Sequence, residues 1–394
     1  MAGCKARRMV GERRSIMDLY TILKLVWAGL LCILLIGLGL MVGMDMGVGT
    51  LLRFVGRNDA ERRTALNIIG PHWDGNQVWF ILGGGAIFAA FPTLYATSFS
   101  VFYVVMILLL FSMILRPVAF EYRSKVDARL WRASWDWAFL VSGFLPMFVY
   151  GAAFGNILQG VGYHFAWSGQ YFQDSSFFSY LLNPFAILCG LMAVSLSVFQ
   201  GGVMLMMRAE NPIYARARGY AQTAALSGAA LFVIGGVWIR NVRGFVLLEG
   251  EPGMPANPMR GQHVSMEAGA WLHNYTAHPV LWLLPVLGIF SMLAGAAFVR
   301  ANRPYLAWWT GLGTWIGTIG TVAGAMFPFF MPSTTNPDQS LTIWNSSASQ
   351  YGLTCMLVVA LIFVPIILSY TAWCYYIMGG KVRTENIVND THSY

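Results

Sequence analysis

Charge is what this sequence has little of. Asp, Glu, Lys and Arg make up 11% of its 394 residues, where a soluble domain carries about 25%. With 57% hydrophobic and 15% aromatic residues, that shortage excludes an ordinary soluble enzyme and a disordered chain. Cysteine is also sparse. Cys4, Cys32, Cys189, Cys355 and Cys374 form no C-x-x-C pair, and four of them lie in apolar runs, so neither a disulfide scaffold nor a zinc or redox pair is indicated. The six histidines (His72, His164, His263, His273, His278 and His392) avoid the middle of every apolar run, and no two share a helix face. Intramembrane haem needs an axial His, Met or Cys held in a helix, so no haem or metal ligand set is expected in this chain, and the 21 methionines read as apolar filler. Gly83-Gly84-Gly85 lacks a following Lys-Ser/Thr and is no phosphate loop. With Gly29, Gly37 and Gly39 it suggests close helix packing. The net charge of +8 does not indicate nucleic acid, because the basic residues flank apolar runs, as they do where charge orients a membrane protein.

What the chain does have is long uncharged runs. A bilayer-crossing helix needs about 20 apolar residues. The runs give spans at Leu25–Met44, two within Gly75–Leu115 with a turn near Pro92 and Thr97–Ser100, Trp137–Gln173 (ending in a polar, aromatic loop), Ser175–Met207, Gly219–Ile239, His278–Val299, Pro304–Phe330 and Tyr351–Met378. The expected fold is an all-α integral membrane protein of about nine transmembrane helices, arranged as two four-helix bundles plus one extra helix.

No cleavable signal peptide is evident, and the basic residues set an orientation. With the N-terminus outside and the C-terminus cytoplasmic, the inner loops carry Arg53, Arg57, Arg62, Arg63, Arg116, Arg123, Lys125, Arg129, Arg132, Arg208, Arg216, Arg218, Arg300, Arg303, Lys381 and Arg383. The outer loops carry only Arg240, Arg243 and Arg260. Lys5, Arg7, Arg8, Arg13 and Arg14 oppose this orientation. Residues 1–16 are therefore expected to be a non-native or disordered extension, with Met17 as the initiator.

Ionisable groups near a membrane interior usually mark a pathway or a buried pair. Four carboxylates stand at the expected inner ends of the first four helices: Asp45 ending helix 1, Asp74 opening helix 2, Glu121 after helix 3 and Asp136 opening helix 4. Such a cluster could take up protons and pass them inward. The alternative is that these groups pair with nearby arginines, and it weighs most for Glu121 and Asp136. Asp74 stands out because it lies in the polar-aromatic run His72-Trp73-Asp74-Gly75-Asn76-Gln77-Val78-Trp79.

Three stretches carry a resemblance: Met44-Asp45-Met46-Gly47-Val48-Gly49, Gly56-Arg57-Asn58-Asp59 and Pro71-His72-Trp73-Asp74-Gly75-Asn76-Gln77-Val78-Trp79. Further matches are Arg116-Pro117-Val118, Trp135-Asp136-Trp137, Phe154-Gly155-Asn156, Glu267-Ala268-Gly269-Ala270-Trp271 and Tyr370-Thr371-Ala372-Trp373-Cys374-Tyr375. Over residues 17–394 the chain resembles subunit II of cytochrome bd-type quinol oxidases. That resemblance implies an inner-membrane respiratory complex that oxidises a membrane quinol, reduces dioxygen to water and generates proton motive force. Haem b and haem d would be ligated by subunit I, which this chain would pair with and stabilise. A structural quinone and a small single-helix accessory subunit are further features of some members. The resemblance links Asp74 to proton delivery and Trp79 to an oxygen route, with Asp45 as a second proton-pathway residue. Some members carry another aspartate three residues before the position of Asp45, where this chain has Val42.

Two other classes fit parts of the sequence. A secondary transporter would show inverted repeats and midplane charges, and the midplane of the runs above is empty of charge. A purely structural membrane subunit would tolerate Asp74→Asn, which a proton donor would not.

Overall fold

The computed structural model describes residues 18–174, 183–250, 252–253, 255–259 and 262–382. The expected extension at 1–16, the start of the fifth span at 175–182, Arg260, Arg383 and His392 lie outside these residues.

Helix α1 runs from Leu19 to Val55, almost twice the length of the span expected from charge alone. Its lower half stays helical through Asp45 because Met, Val, Leu and Gly carry the pattern on to Arg53. It contains a π-turn at Leu38–Val42. The amphipathic helix α2, Asp59–Ile69, follows. It is capped by Asn58, whose side chain accepts the Glu61 N–H at 2.8 Å, as an N-cap asparagine does.

Helix α3 spans Trp73–Ala90. The turn expected near Pro92 and Thr97–Ser100 is instead a short helix, α4, Pro92–Val101. Proline is tolerated in its first turn, and Ser98 and Ser100 hydrogen-bond back to Tyr95 O and Ala96 O within the helix. The long helices that follow are α5 Tyr103–Tyr122, α6 Arg129–Gln159, α7 Pro184–Arg208 and α8 Ile213–Trp238. They are completed by α9 Leu283–Arg300, α10 Pro304–Met326 and α11 Gln350–Ile377.

Among the described residues, seven helices are long and apolar enough to cross a membrane. Helices α3 and α10 are outside that set: Asp74, Asn76 and Gln77 lower the hydropathy of α3, and Gly, Thr and Trp that of α10.

Helices α7, α8, α9 and α10 pack as a four-helix bundle. The other half is organised around α1, whose lower half wedges between α6 and α7 while its upper half meets α3, α10 and α11. Of the glycines the sequence singled out, Gly37 and Gly39 pack tightly against tryptophan rings, while the tightest backbone-to-backbone crossings fall at other glycines. A Cβ on Gly47 would collide with Ser197 O, and one on Gly201 with the Gly47–Val48 backbone. A Cβ on Gly143 would strike the α1 backbone at Met46 and Thr50. Gly29, Gly84 and Gly85 have nothing within 4 Å.

The end of the molecule away from α2 is capped by three antiparallel hairpins. They pair β1 Tyr163–Phe165 with β2 Tyr171–Gln173, β3 Arg243–Gly250 with β4 Gln262–Ala268, and β5 Phe329–Met331 with β6 Leu341–Thr342. These strands are the departure from an all-helical chain. They lie in connections whose backbone polar groups need partners. Lys24, fully buried in α1, ties the cap down by donating to Pro252 O and Trp344 O, each at 2.9 Å.

Candidate functional site

The four carboxylates do not form one cluster. Asp45 does not end its helix. It lies ten residues before Val55, about 15 Å of helical rise, and is 1% exposed. Asp136 does not open α6: it stands in the third turn and is fully buried. Glu121 lies in the last turn of α5 on an exposed face. Asp74 is where it was expected, in the first turn of α3, and its side chain faces outward from this chain.

Asp136 belongs to an arginine network. Arg123 Nε reaches it at 2.7 Å and Arg62 Nη1 at 2.8 Å. Arg123 also holds Asp59 at 2.8 Å, and Arg132 pairs with both Asp59 and Asp127. The pairing alternative is therefore the right one for Asp136. Nearby, Glu61 receives Arg216 Nη1 at 2.6 Å and the Arg57 N–H at 2.7 Å. Burial pushes the Glu61 carboxyl up, but the hydrogen bonds from Arg216 and the backbone outweigh it and hold the group below its usual range.

Asp45 is held differently. Its Oδ2 accepts from Asn76 Nδ2 at 2.9 Å, and Asn76 in turn shares two hydrogen bonds with the Tyr375 hydroxyl, at 2.8 and 3.0 Å. Arg116, fully buried in α5, does not reach the carboxylate. It donates to the backbone O of Asp45 at 2.6 Å and to Met46 Sδ at 3.0 Å. Asp45 Oδ1 and Arg116 Nε are buried without a hydrogen-bond partner among the described residues. A buried charge left half-coordinated is costly, and a site of this polarity is one where water enters. His72 caps the cluster, its ring stacked on Tyr375 with centroids 4.2 Å apart and planes at 4°. Burial, with Arg208 nearby, depresses its imidazole to about 4.

The π-turn sits immediately before this cluster. It adds a residue to one turn of α1 and is gripped by two tryptophans. Trp79, 9% exposed, lies against Gly37, and Trp315 lies against Gly39, where a Cβ would come within 2.5 Å of the ring. Turns of this kind recur at functional sites.

Asn76, His72, Arg116 and Tyr375 were not picked out from the sequence as site residues. All four lie inside motifs that carried the resemblance, so a signal was present, but no periodicity says that the last helix returns to the first.

Among the described residues no group of three or more His, Cys, Asp or Glu side chains is gathered as for a metal ion. The histidines are scattered. His72 lies in the cluster above, His164 and His263 each face an aspartate in the hairpin cap, and His273 and His278 are exposed. None of the described histidines lies in the interior of a long apolar helix.

At the capped end, the bundle of α7–α10 and the end of α6 border a half-open apolar cavity of about 260 Å³. Leu188, Met192, Phe232 and Val322 line it, with Arg240 and Trp271 on its wall.

Comparison with known proteins fits this architecture. The chain is 44% identical over 375 residues to a probable cytochrome oxidase subunit 2 of Haemophilus influenzae, covering 95% of this chain and 99% of the relative. Identity and coverage are the same for the cytochrome bd-I ubiquinol oxidase subunit 2 of Escherichia coli K12. The Bacillus subtilis cytochrome bd ubiquinol oxidase subunit 2 is 31% identical over 361 residues, 90% of this chain and 96% of the relative. The bd oxidase structure from Geobacillus thermodenitrificans superposes with a TM-score of 0.68 over 91% of this chain and 99% of that one. At 13% identity, that match speaks for the fold alone. The family profile described as cytochrome bd terminal oxidase subunit II matches residues 23–378, and the chain belongs to that family.

Proposed function

We propose that this chain is the haem-free half of a quinol:dioxygen oxidoreductase of the inner membrane. In this reading it braces subunit I, which ligates haem b and haem d, and gives protons a way towards the buried chemistry. The complex oxidises quinol, and the protein's own contribution is packing and proton access. Helices α3 and α10 cross the membrane with the other seven, and the arginine-rich end with α2 faces the cytoplasm.

The observation that carries the proton role is the half-coordinated Asp45. A carboxylate that is fully paired has no reason to exchange its proton. Among the described residues, Asp45 has one oxygen without a hydrogen-bond partner and a guanidinium close enough to act on it without binding it. Asp74 is the entry group in this reading, and Asp45 the inner acceptor. Because Asp74 faces outward beside exposed Gly75 and a partly exposed Gln77, it would be costly in lipid. That surface of α3 suits a protein neighbour, and subunit I is the neighbour proposed. Trp79 closes the same helix against the π-turn, where it would border an oxygen route.

The cavity bordered by α7–α10 suits a structural quinone. Its lining is apolar, as an isoprenoid chain requires, and Arg240 offers a donor to a ring carbonyl. A small single-helix accessory subunit would find room on the exposed apolar faces.

The test uses the assembled complex. Asp74→Asn should slow quinol-driven oxygen uptake several-fold while the reduced-minus-oxidised haem spectrum keeps its amplitude. Unchanged turnover across pH would make Asp74 structural.

A further inference from the structure

The cluster around Asp45 contains one residue whose geometry suggests a task that packing alone does not explain. Tyr375 lies near the end of α11, a helix that otherwise barely packs on this chain: its most apolar stretch is 6% buried. Its last turn is nevertheless clamped from both sides. Arg208 Nη1 donates to Met378 O at 2.7 Å, and the Val382 N–H donates back to Arg208 O at 2.8 Å. This double bond to the end of α7 fixes where Tyr375 arrives.

There its hydroxyl meets the Asn76 amide twice, donating to Oδ1 at 3.0 Å and accepting from Nδ2 at 2.8 Å. An amide side chain can sit with nitrogen or oxygen towards a neighbour. Facing Asp45, only the nitrogen donates, while the oxygen would oppose the carboxylate. Asp45 therefore sets the orientation that presents Nδ2 to it, and the Tyr375 hydroxyl, bonded to both atoms of the amide, holds that group in place.

We propose that Tyr375 is a positioning residue for the proton reaction. It locks the Asn76 amide so that Asp45 is held with one oxygen bound and the other free, and it closes the carboxylate off on the α11 side. The inference rests on the reading of Asp45 as a proton carrier. Asn76 has no ionisable proton, so this chain of bonds orients rather than relays. A proton reaches Asp45 at Oδ1 and leaves from it, while Oδ2 stays on the amide. The charged or titratable groups facing the cluster are Arg116 from α5, His72 from the loop before α3 and Arg208 from α7, and none of them bonds the Asp45 carboxylate.

The experiment compares Asp45→Asn, Tyr375→Phe and Tyr376→Phe in the complex with subunit I. Tyr376 is 85% exposed on the same helix and serves as the control. Quinol oxidase kcat and KM are measured with haem content. The infrared carbonyl band of protonated Asp45 is identified by its loss in Asp45→Asn. Tyr375→Phe should lower kcat about three- to tenfold at unchanged KM, the size expected for one lost orienting hydrogen bond of about 1 kcal/mol, and should shift and broaden that band. Tyr376→Phe should do neither.

If Asp45→Asn turns over like the parent, the proton-carrier reading fails and this inference with it. If Asp45→Asn is slow but Tyr375→Phe matches Tyr376→Phe in both kcat and band, the positioning role is wrong and the reading of Asp45 stands. Should Tyr375→Phe fail to assemble, Asn76→Ser removes the same bridge without touching α11, and its kcat and band are read the same way.

Discussion

Asp45 and Asp136 are both buried aspartates with arginines nearby, and they are held in opposite ways. Both Asp136 oxygens are taken, by Arg123 and Arg62, and Asp59 extends the network. Asp45 has one oxygen on a neutral amide and the other without a hydrogen-bond partner among the described residues, while the Arg116 guanidinium is turned to a backbone carbonyl. A saturated network rigidifies the helix ends it joins, whereas a partly satisfied one stores the capacity to change state. The difference teaches that burial and charge do not by themselves say how a carboxylate is held. The count of filled lone pairs does.

The comparison is broken most directly at Asp136. Asp136→Asn leaves Arg123, itself 1% exposed, and Arg62 without their shared counter-charge. Breaking a buried pair from one side costs about 3–5 kcal/mol. We expect loss of assembled complex, or a large fall in thermal midpoint in detergent. A variant within about 1 kcal/mol of the parent would mean that Asp136 is as uncommitted as Asp45.

Next in size is the close crossing that brings α1, α6 and α7 together beneath Asp45. Gly47→Val must displace backbone at Ser197, and overpacking of this kind costs about 1–3 kcal/mol. Gly84→Val, with nothing within 4 Å in this chain, should leave the stability of the isolated chain unchanged. Thermal midpoints of the two variants give the ordering, and equal midpoints would place the crossing elsewhere.

These glycines show what was legible in the sequence and what was not. Lack of charge located the long helices, because the penalty for charge in lipid acts on each residue by itself. Their ends were less legible. Asp45 was read as a terminus, yet α1 runs on to Val55 because protein rather than lipid surrounds its lower half. Gly83-Gly84-Gly85 attracted attention as a run, but which glycines meet a backbone depends on helix rotation, and the π-turn resets that rotation between Gly37 and Gly47. The proton-site partners were the least legible. Tyr375 is 299 residues from Asn76, and only its place in a recognisable motif marked it. Asp136 shows the reverse case: its arginines were visible nearby, and the pairing reading was the simpler and the better one.

Asp45→Asn sharpens the contrast through function. The amide keeps the shape and removes a buried charge that has no direct counter-ion, so stability should change by less than about 1 kcal/mol. Turnover should fall at least about tenfold, a barrier increase of about 1.4 kcal/mol. Asp136→Asn should behave in the opposite order, with assembly lost first. Quinol oxidase activity normalised to haem content separates the two.

The smallest effect is one of pH, and it sharpens the comparison by asking how the lid of the Asp45 cluster responds to acid. Burial, with Arg208 nearby, depresses His72 to about 4 from an ordinary value of 6.5. In the unfolded chain the ring takes a proton near 6.5, and in the folded protein it resists until about 4. The unfolded state therefore binds more protons in that interval, and stability rises with pH across it. The contribution is complete above about 6.5 and is lost as pH falls towards about 4, where a protonated His72 would be repelled by nearby Arg208. Glu61 adds loss of the same sign at lower pH, because its carboxyl is held below the usual range and its bond to Arg216 fails once it is protonated. The two are separable by window. His72→Phe keeps the stack on Tyr375 and should flatten the thermal midpoint between about pH 6.5 and 4, a change of about 1 °C per kcal/mol for a chain this long. Glu61→Gln should leave that interval intact and alter only the more acidic limb. If His72→Phe follows the parent curve through the upper window, the acid sensitivity belongs to another group, and the lid over Asp45 is indifferent to pH.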